Sequence, residues 1–271
     1  RGCVKAHFSN GKTNPQKNPK PYLMKMLKSP RNARKDAVSA SLTTSRGERE
    51  GAVRIVGGRW RRTPLAVADR NGLRPTPERV RETVFDWLGH LLGSFSGKSA
   101  LDLFAGSGAL GFEALSRGMK AADFVERDSR QAALLKHAAA KLSEKEANGT
   151  QIRVHQGDAF QFLEGAASYY DVIFIDPPYA LNLQDEAIVE AAKCLGPNGI
   201  LYVERSGVLT SPEVLDQQKL VRLRSMSAGQ VTCELLGFAA GSLAALAKVK
   251  KPLRGKAAKI AAKQAQKAAQ G

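Results

Sequence analysis

The sequence predicts an α/β protein built on a mostly parallel β-sheet with helices on both faces. From Ser99 to Glu204, short apolar runs alternate with helical stretches. Apolar strands bounded by helices are typical of a parallel sheet that is covered on both sides. Two further β-prone runs, at about 220–226 and 230–238, are separated by Ser-Ala-Gly, which predicts an antiparallel hairpin at the end of the sheet.

The individual elements follow from the same patterns. The predicted strands are residues 100–104, 122–126, 152–155, 172–175 and 199–204, and the predicted helices are 110–117, 130–145, 158–163 and 183–195. Upstream, two β-prone arms flank Gly57-Gly58 within residues 53–67, which predicts a hairpin. A helix should follow, with Thr76 as its N-cap, Pro77 in its first position and its end near Gly93.

Charge is distributed unevenly along the 271 residues, which contain 42 Lys and Arg against 25 Asp and Glu, for a net charge of +17. Residues 1–50 carry 12 basic and 3 acidic side chains, 241–271 carry 8 basic and no acidic ones, and 96–240 carry 14 and 18. Such basic flanks indicate a polyanionic partner. Solvated tails that aid solubility are the alternative interpretation.

These patterns predict four regions. Residues 1–50 are expected to be a disordered basic extension, 51–95 an N-terminal hairpin and helix, 96–240 the main domain, and 241–271 a basic tail rich in Ala and Lys. No apolar stretch is long enough to span a bilayer, and the 3 cysteines and 4 histidines have no metal-ligand spacing. We expect a cytoplasmic monomer without a metal; residues 1–50 are also compatible with an organellar transit peptide.

A glycine-rich turn after the first strand of the alternating region predicts a ligand site. Leu101-Asp-Leu-Phe-Ala-Gly-Ser-Gly-Ala-Leu-Gly111 leads a strand into a helix, so backbone N–H groups face the carboxyl edge of the sheet. Gly106, Gly108 and Gly111 also satisfy the GxGxxG pattern of dinucleotide oxidoreductases, which are the immediate alternative. Asp102 suits an ammonium group better than a pyrophosphate, and the loop resembles the cofactor loop of S-adenosylmethionine-dependent methyltransferases.

Two further acidic residues follow the next two strands. Glu126 ends the second strand, where a carboxylate can accept hydrogen bonds from two ribose hydroxyls. Asp158 follows the third strand and can receive an adenine amino group, cap the short helix after it, or do both. Both residues would lie at the same edge of the sheet as the glycine turn.

The motif Asp176-Pro-Pro-Tyr179 follows the apolar strand 172–175 and indicates the chemistry. Its prolines remove two backbone donors and stiffen the turn, which leaves the Asp176 carboxylate and the Pro177 carbonyl as acceptors beside an aromatic ring. An exocyclic amine of a nucleobase fits this arrangement, because its N–H groups need acceptors and the base can stack on Tyr179. The alternative is a plain strand-ending turn with a core aromatic residue.

These motifs resemble amino-methyltransferases that act on nucleic acids, and the N-terminal block makes the resemblance specific. Arg54-Ile-Val-Gly-Gly-Arg-Trp-Arg61 and Leu73-Arg-Pro-Thr-Pro-Glu-Arg-Val-Arg-Glu-Thr-Val-Phe-Asp-Trp-Leu88 are similar to segments of the RsmD family of bacterial 16S ribosomal RNA guanine-N2 methyltransferases. Leu115-Ser-Arg-Gly118 and Ala228-Gly-Gln-Val231 add to the match, which runs from about Val53 to Phe238.

The resemblance implies a class I methyltransferase fold, Rossmann-like with seven strands, S-adenosylmethionine as methyl donor, and a guanine N2 amine of 16S rRNA on an assembled or assembling 30S particle as acceptor. It implies that Asp176, Pro177, Pro178 and Tyr179 hold the target base. The implied cofactor residues are Asp102, Phe104, Ala105, Gly106, Ser107, Gly108, Glu126, Arg127, Asp158 and Ala159. The implied RNA-contacting residues are Arg54, Arg59, Trp60, Arg61, Arg62, Arg74 and Thr76, with plain packing of Trp60 and helix capping at Thr76 as alternatives.

Two other functions stay open from the sequence. A DNA adenine-N6 or cytosine-N4 methyltransferase uses similar acceptors but usually carries a sizeable target-recognition insertion, for which there is little room between Asp102 and Asp176. A non-catalytic ribosome-assembly protein could bind RNA through the basic flanks. It would not need the glycine turn or the Asp-Pro-Pro-Tyr motif.

Overall fold

The fold is built on a single mixed β-sheet. A computed structural model of the chain describes residues 53–68, 76–144, 149–166 and 169–247. The strands are β1 (Ser99–Asp102), β2 (Ala121–Glu126), β3 (Gln151–Gln156), β4 (Tyr170–Ile175), β5 (Leu195–Ser206), β6 (Leu220–Ala228) and β7 (Val231–Phe238). Within the described ranges they form one seven-stranded sheet in the order β3-β2-β1-β4-β5-β7-β6.

Strand direction divides the sheet into two parts. Strands β1 to β5 are parallel to one another, and β7 runs antiparallel to both β5 and β6. The predicted α/β class and the closing antiparallel hairpin are therefore confirmed. We call the side where β1 to β5 end the carboxyl edge and the opposite side the amino edge.

In the part of the chain that the structure describes, six α-helices cover the two faces of the sheet. They are α1 (Glu78–Leu92), α2 (Ala109–Ser116), α3 (Ser129–Ser143), α4 (Ala159–Glu164), α5 (Gln184–Ala192) and α6 (Pro212–Gln217), with 3-10 helices at Tyr179–Leu181 and Ser242–Leu246. Side chains of α1, α2 and α3 belong to one apolar cluster and those of α4, α5 and α6 to a second one. Apolar side chains are therefore buried on both faces of the sheet, as the continuous apolar strands predicted.

Residues 53–68 form a short antiparallel turn in place of a full hairpin. A single bridge pairs Arg54 with Pro64, and the N–H of Arg62 donates to the carbonyl of Ile55 at 2.8 Å. Helix α2 holds this turn through the buried carboxylate of Glu113, which accepts backbone N–H bonds from Val56 and Gly57 at 2.6 and 2.7 Å. The end of α2 holds it as well, because the carbonyl and hydroxyl of Ser116 bind the N–H groups of residues 59 and 60.

Three predicted boundaries are wrong, each for a local reason. Thr76 does not cap α1, because Pro77 takes the N-cap position and the Thr76 hydroxyl donates to a buried carboxylate instead. Helix α5 ends at Ala192, and Leu195 already pairs with Tyr170, so β5 begins four residues before the predicted strand 199–204. The folded chain also continues past residue 240, since Leu243 is buried in the Ser242–Leu246 turn. The predicted extension 1–50 lies outside the described residues.

Gly58 sits where the N-terminal turn meets α2, at φ +72, and a Cβ there would overlap the backbone carbonyl of Ser116. We expect Gly58→Ala to be markedly destabilising, because both the backbone conformation and the contact oppose it. Gly97→Ala is the matched control, with φ +78 and open space around the added methyl group. The control should lose about 1–2 kcal/mol in urea unfolding, and Gly58→Ala about 2 kcal/mol more. Equal losses would show that the turn is not seated on α2.

Candidate active site

The candidate site lies where the strand order reverses. From β1 the chain continues outward to β2 and β3 on one side, and then returns to β4 and β5 on the other. Crevices at such switch points, outside the carboxyl ends of the strands, are where open α/β sheets bind ligands. The predicted glycine turn follows β1 and Asp176 follows β4, so the topology brings these two motifs together.

The glycine turn is shaped by its own backbone and by a buried acid. Gly106 and Gly108 adopt φ values of +49 and +74, and a Cβ on Gly108 would come within 2.7 Å of Leu135 and Phe112. Asp102 is buried, and its carboxylate accepts the N–H of Gly111 at 2.9 Å. This bond ties the end of β1 to the first turn of α2.

Glu126 links the turn to the next strand. Its two carboxylate oxygens accept the backbone N–H groups of Gly106 at 2.8 Å and Asp128 at 2.7 Å. Each carboxylate oxygen can accept more than one bond, so a preoriented acceptor remains for ribose hydroxyls. Arg127 beside it is exposed.

The end of β3 supplies the third acidic residue. Asp158 caps α4, since its Oδ1 accepts the N–H groups of Phe160 at 2.9 Å and Gln161 at 3.3 Å. Ala159 begins that helix and is buried, and the ring of Phe160 lies edge-on to Phe104, with centroids 6.5 Å apart. Asp158 therefore caps α4 at the carboxyl edge, where the rings of Phe104 and Phe160 also lie.

The Asp176–Tyr179 motif forms the turn after β4. Asp176 is half-buried, Pro177 is buried and Pro178 is exposed. The carbonyls of Pro178 and Tyr179 accept N–H bonds within the 3-10 turn that follows, whereas within the described ranges no protein donor binds the Pro177 carbonyl. The Asp176 carboxylate and the Pro177 carbonyl are therefore available as acceptors for a ligand.

Sequence reasoning missed Glu204, which ends the apolar part of β5 and is 1% exposed. Its carboxylate accepts the hydroxyls of Tyr179 at 2.6 Å, Tyr202 at 2.6 Å and Thr76 at 2.7 Å. A signal was present, because an acid at the end of an apolar parallel strand is the same pattern that singled out Glu126. No motif surrounds Glu204 to draw attention to it.

Burial and the nearby carboxylates together raise the pKa values of Asp102, Asp176 and Tyr202. Burial raises the pKa of Asp102 to about 7; the N–H of Gly111 opposes this rise, and Glu126 adds to it. Burial raises the pKa of Asp176 well above its ordinary value, and the charges of Glu204 and Asp102 raise it further. Burial and the Glu204 charge also raise the pKa of Tyr202, which keeps its proton and its bond to Glu204.

The residues proposed for RNA contact divide into two groups. Arg59, Arg61 and Arg62, which we call the arginine tip, are exposed. The Arg59 guanidinium donates to the Thr150 hydroxyl at 3.0 Å, just before β3, so the tip lies at the amino edge.

The other described members of that set, Arg54, Trp60 and Thr76, contact other parts of the protein. Trp60 is 4% exposed and packs in the core beneath the Arg59 guanidinium, which favours packing over base stacking. Arg54 pairs with Glu78 at 3.3 Å. The Thr76 hydroxyl binds Glu204, and Arg74 lies outside the described residues.

The donors and acceptors of this edge fit S-adenosylmethionine, whose sulfonium and ammonium groups are cationic. Asp102 and Glu126 supply negative charge and hydrogen-bond acceptors, and no arginine or lysine pairs with either of them among the described residues. Gly108 lets the turn pack closely against Leu135 and Phe112, which an added Cβ would overlap. Phe104 and Phe160 offer apolar surface for an adenine.

Together, the sheet order, the glycine turn after β1 and the acceptor turn after β4 define a class I methyltransferase fold. The family model described as conserved hypothetical protein 95 matches residues 53–237. Ribosomal RNA small subunit methyltransferase D of Haemophilus influenzae is 39% identical over 170 residues, which are 60% of this chain and 85% of that protein. The protein of the same name from Escherichia coli K12 is 39% identical over 167 residues, 60% of this chain and 80% of that protein.

A solved structure agrees with these relatives. The structure of yhhF from Escherichia coli superposes with a TM-score of 0.57 at 34% identity, and the match covers 69% of this chain and 97% of that one. The chain belongs to the ribosomal RNA small subunit methyltransferase D family, as its motifs predicted. Within the part of the chain that the structure describes, no helix is long and apolar enough to cross a membrane.

Affinity for S-adenosylmethionine should rise with pH. The pKa of Asp102 is about 7 in the free protein, and a bound ammonium group lowers it, so binding releases a proton and strengthens as Asp102 ionises. Calorimetry should show binding about tenfold tighter at pH 8 than at pH 6. Asp102→Asn should bind more weakly and retain only the ligand's own pH dependence. A wild-type profile that matches the variant would contradict this role for Asp102.

Proposed function

We propose that this chain methylates the exocyclic N2 amine of a guanine in 16S ribosomal RNA, on an assembled or assembling small subunit. Membership of the family makes the chain an S-adenosylmethionine-dependent ribosomal RNA methyltransferase. The proposal adds the base, the atom and the form of the substrate. It also places the protein in the cytoplasm, where bacterial small subunits are assembled.

The observation that carries the proposal is the pair of acceptors at Asp176 and Pro177. An exocyclic amine has two N–H groups, and the turn offers a carboxylate for one and a backbone carbonyl for the other. Tyr179 stands next to them with its hydroxyl fixed on Glu204 at 2.6 Å, so its ring is held in one orientation. A base removed from its stack could therefore be held by both its edge and its face.

The same acceptors activate the amine. The lone pair of the amine is delocalised into the base, which makes it a poor nucleophile. Asp176 orients the N–H groups and offsets the positive charge that develops on nitrogen. Its raised pKa also makes the Asp176 carboxylate a suitable acceptor for the proton that the nitrogen releases.

The cofactor residues have a separate task. When bound, S-adenosylmethionine supplies a methyl group on a cationic sulfur, which is the electrophile. Asp102, Glu126 and the glycine turn would hold it at the switch point beside Asp176. Proximity of the two bound reactants accounts for much of the remaining rate enhancement.

Asp176→Ala should abolish methyl transfer and leave cofactor binding largely intact. The variant removes the acceptor that faces the amine. It should leave the glycine turn in place, because the carboxylates that hold this turn belong to Asp102 and Glu126. We expect turnover to fall at least about 1,000-fold. Transfer of labelled methyl groups to unmethylated 30S subunits measures turnover, and calorimetry measures cofactor affinity. Near-normal turnover would overturn the role of Asp176.

The same assay separates the proposal from its alternatives. Unmethylated 30S subunits, naked 16S rRNA and duplex DNA are offered in parallel, and the labelled nucleoside is identified. N2-methylguanosine from RNA supports the proposal, and N6-methyladenine or N4-methylcytosine from DNA would replace it with the DNA methyltransferase. An absence of label on all three, despite cofactor binding, would favour the non-catalytic assembly protein.

The arginine tip suggests a large RNA footprint. Arg61 and Arg62 are exposed at the amino edge, whereas Asp176 lies at the carboxyl edge, so an RNA that reaches both must extend along the side of the domain. Contacts to phosphates add affinity without reading sequence. Such contacts favour a folded RNA or a particle over a short oligonucleotide. By their charge alone, the basic flanks 1–50 and 241–271 would add affinity for RNA.

The double variant Arg61→Ala/Arg62→Ala should raise KM for 30S subunits and reduce its salt dependence, because phosphate contacts are lost. Two contacts should lower the slope of log KM against log salt by about 1–2. KM for a short RNA that carries the target base should change little. Lys136→Ala/Lys141→Ala, two exposed charges on α3, is the charge-matched control. Equal effects of both variants would show that net charge alone matters.

A further inference from the structure

Buried carboxylates in this protein fall into two groups. Glu113 pairs with Arg117 at 2.8 Å, Asp123 with Arg153 at 2.6 Å and, on the face of the sheet opposite Glu204, Glu234 with Arg222 at 2.7 Å. Glu204 is as deeply buried, yet only hydroxyl groups bind its carboxylate among the described residues. The buried Arg81 on α1 is a cation near Glu204, but no ion pair joins the two side chains among the described residues. Burial of a charge without a hydrogen-bonded cation is costly, so the position of Glu204 needs a physical reason.

Glu204 lies directly beside Asp176. The parallel pairing of β4 and β5 matches Phe174 with Tyr202 and Ile175 with Val203, so the next pair along the strands is Asp176 and Glu204. Side chains two residues apart on a strand share a face. Both acids therefore lie on the same face of the sheet as Phe174 and Tyr202. The rings of these two residues are edge-on, with their centroids 5.9 Å apart.

The three hydroxyls that bind Glu204 belong to different parts of the site. Tyr179 belongs to the turn for the target base, Thr76 precedes α1, and Tyr202 lies on β5 itself. Their oxygen–oxygen distances of 2.6 to 2.7 Å are those of hydroxyls that donate to a carboxylate. One carboxylate thus fixes the base-binding turn to the N-terminal helix.

We propose that Glu204 is a positioning residue for methyl transfer: it fixes the Tyr179 ring against the target base and adds negative potential where the Asp176-bound amine becomes positive. This inference rests on the proposed function of the same site. Glu204 would contact neither the base nor the cofactor. It acts through Tyr179 and Asp176.

The charged surroundings of Asp176 give the inference a measurable signature. Glu204 and Asp102 both raise the pKa of Asp176. Tyr202, Tyr179, Cys233 and the α1 residue Arg81 are the other titratable or charged groups near this pair among the described residues. Arg81 is buried nearby, but its Nε and Nη1 have no hydrogen-bond partner in the described part of the chain. Removal of the Glu204 charge should therefore lower the pKa of Asp176.

Glu204→Gln tests the charge with little change in shape. Because activity needs ionised Asp176, the acidic limb of the kcat profile should move to lower pH. The plateau of kcat should fall about 100-fold, since the potential that stabilises the developing charge is lost. Glu204→Asp keeps the charge and loses the reach to Tyr179, so its acidic limb should stay near the wild-type position. The Kd for S-adenosylmethionine should remain within about threefold in both variants.

Glu234→Gln is the matched control, because Glu234 is equally buried but lies on the opposite face of the sheet with Arg222 and Thr210. It should keep the wild-type kcat and pH profile after correction for the folded fraction. If Glu204→Gln also keeps both, or if its loss equals its unfolded fraction, the proposal is overturned.

Tyr179→Phe provides an independent test should Glu204→Gln fail to fold. It removes one hydroxyl bond and leaves the Glu204 charge in place. We expect an increase in KM for RNA of about tenfold, with the acidic limb unmoved. An unchanged KM would refute the positioning role. The nucleoside that wild-type protein methylates is determined in the same series, so a wrong substrate is recognised separately from a wrong role for Glu204.

Discussion

The constraint on which this site depends is a group of acidic side chains with no ion pair to an arginine or lysine among the described residues, although the buried Arg81 lies near Glu204. Asp102 ends β1, Asp176 follows β4 and Glu204 lies near the end of β5, all on one face of the sheet, and the pKa values of Asp102 and Asp176 are raised. Elsewhere in the described chain the buried acids are paired with arginines. The edge is therefore electrostatically unfavourable in the free protein, and a cationic cofactor and an amine that becomes positive relieve part of this cost.

The scaffold compensates for that cost by holding the edge from several directions. Asp102 ties β1 to α2, Glu126 ties β2 to the glycine turn, and Glu204 ties β5 to the base-binding turn and to the residue before α1. On the same face, α2 anchors the N-terminal turn through Glu113. Each acid thus has a structural bond as well as a charge. Preorganised groups of this kind need little rearrangement when the reaction occurs.

The sequence predicted elements whose signal is local and missed those that depend on contact between distant segments. Apolar strands, the glycine turn and Asp176–Tyr179 could be read directly, because their periodicity and turn chemistry lie within a few residues. The role of Glu204 could not, since its partners Thr76 and Tyr179 are 128 and 25 residues away along the chain. Capping by Thr76 failed for the same reason, because a buried carboxylate on a distant strand competes for its hydroxyl. The role of Trp60 was ambiguous until its burial was known.

The separation of charge also explains how an acidic site can serve a polyanionic substrate. Phosphates would be repelled by the carboxyl edge, whereas a base is neutral and brings N–H donors to the acceptors at Asp176 and Pro177. Exposed arginines lie at the other edge, where phosphates can be bound without approaching the acids. Affinity and chemistry then rest on different surfaces of one small domain. An RNA long enough to reach both surfaces gains the phosphate contacts, and only its extruded base has to enter the acidic crevice.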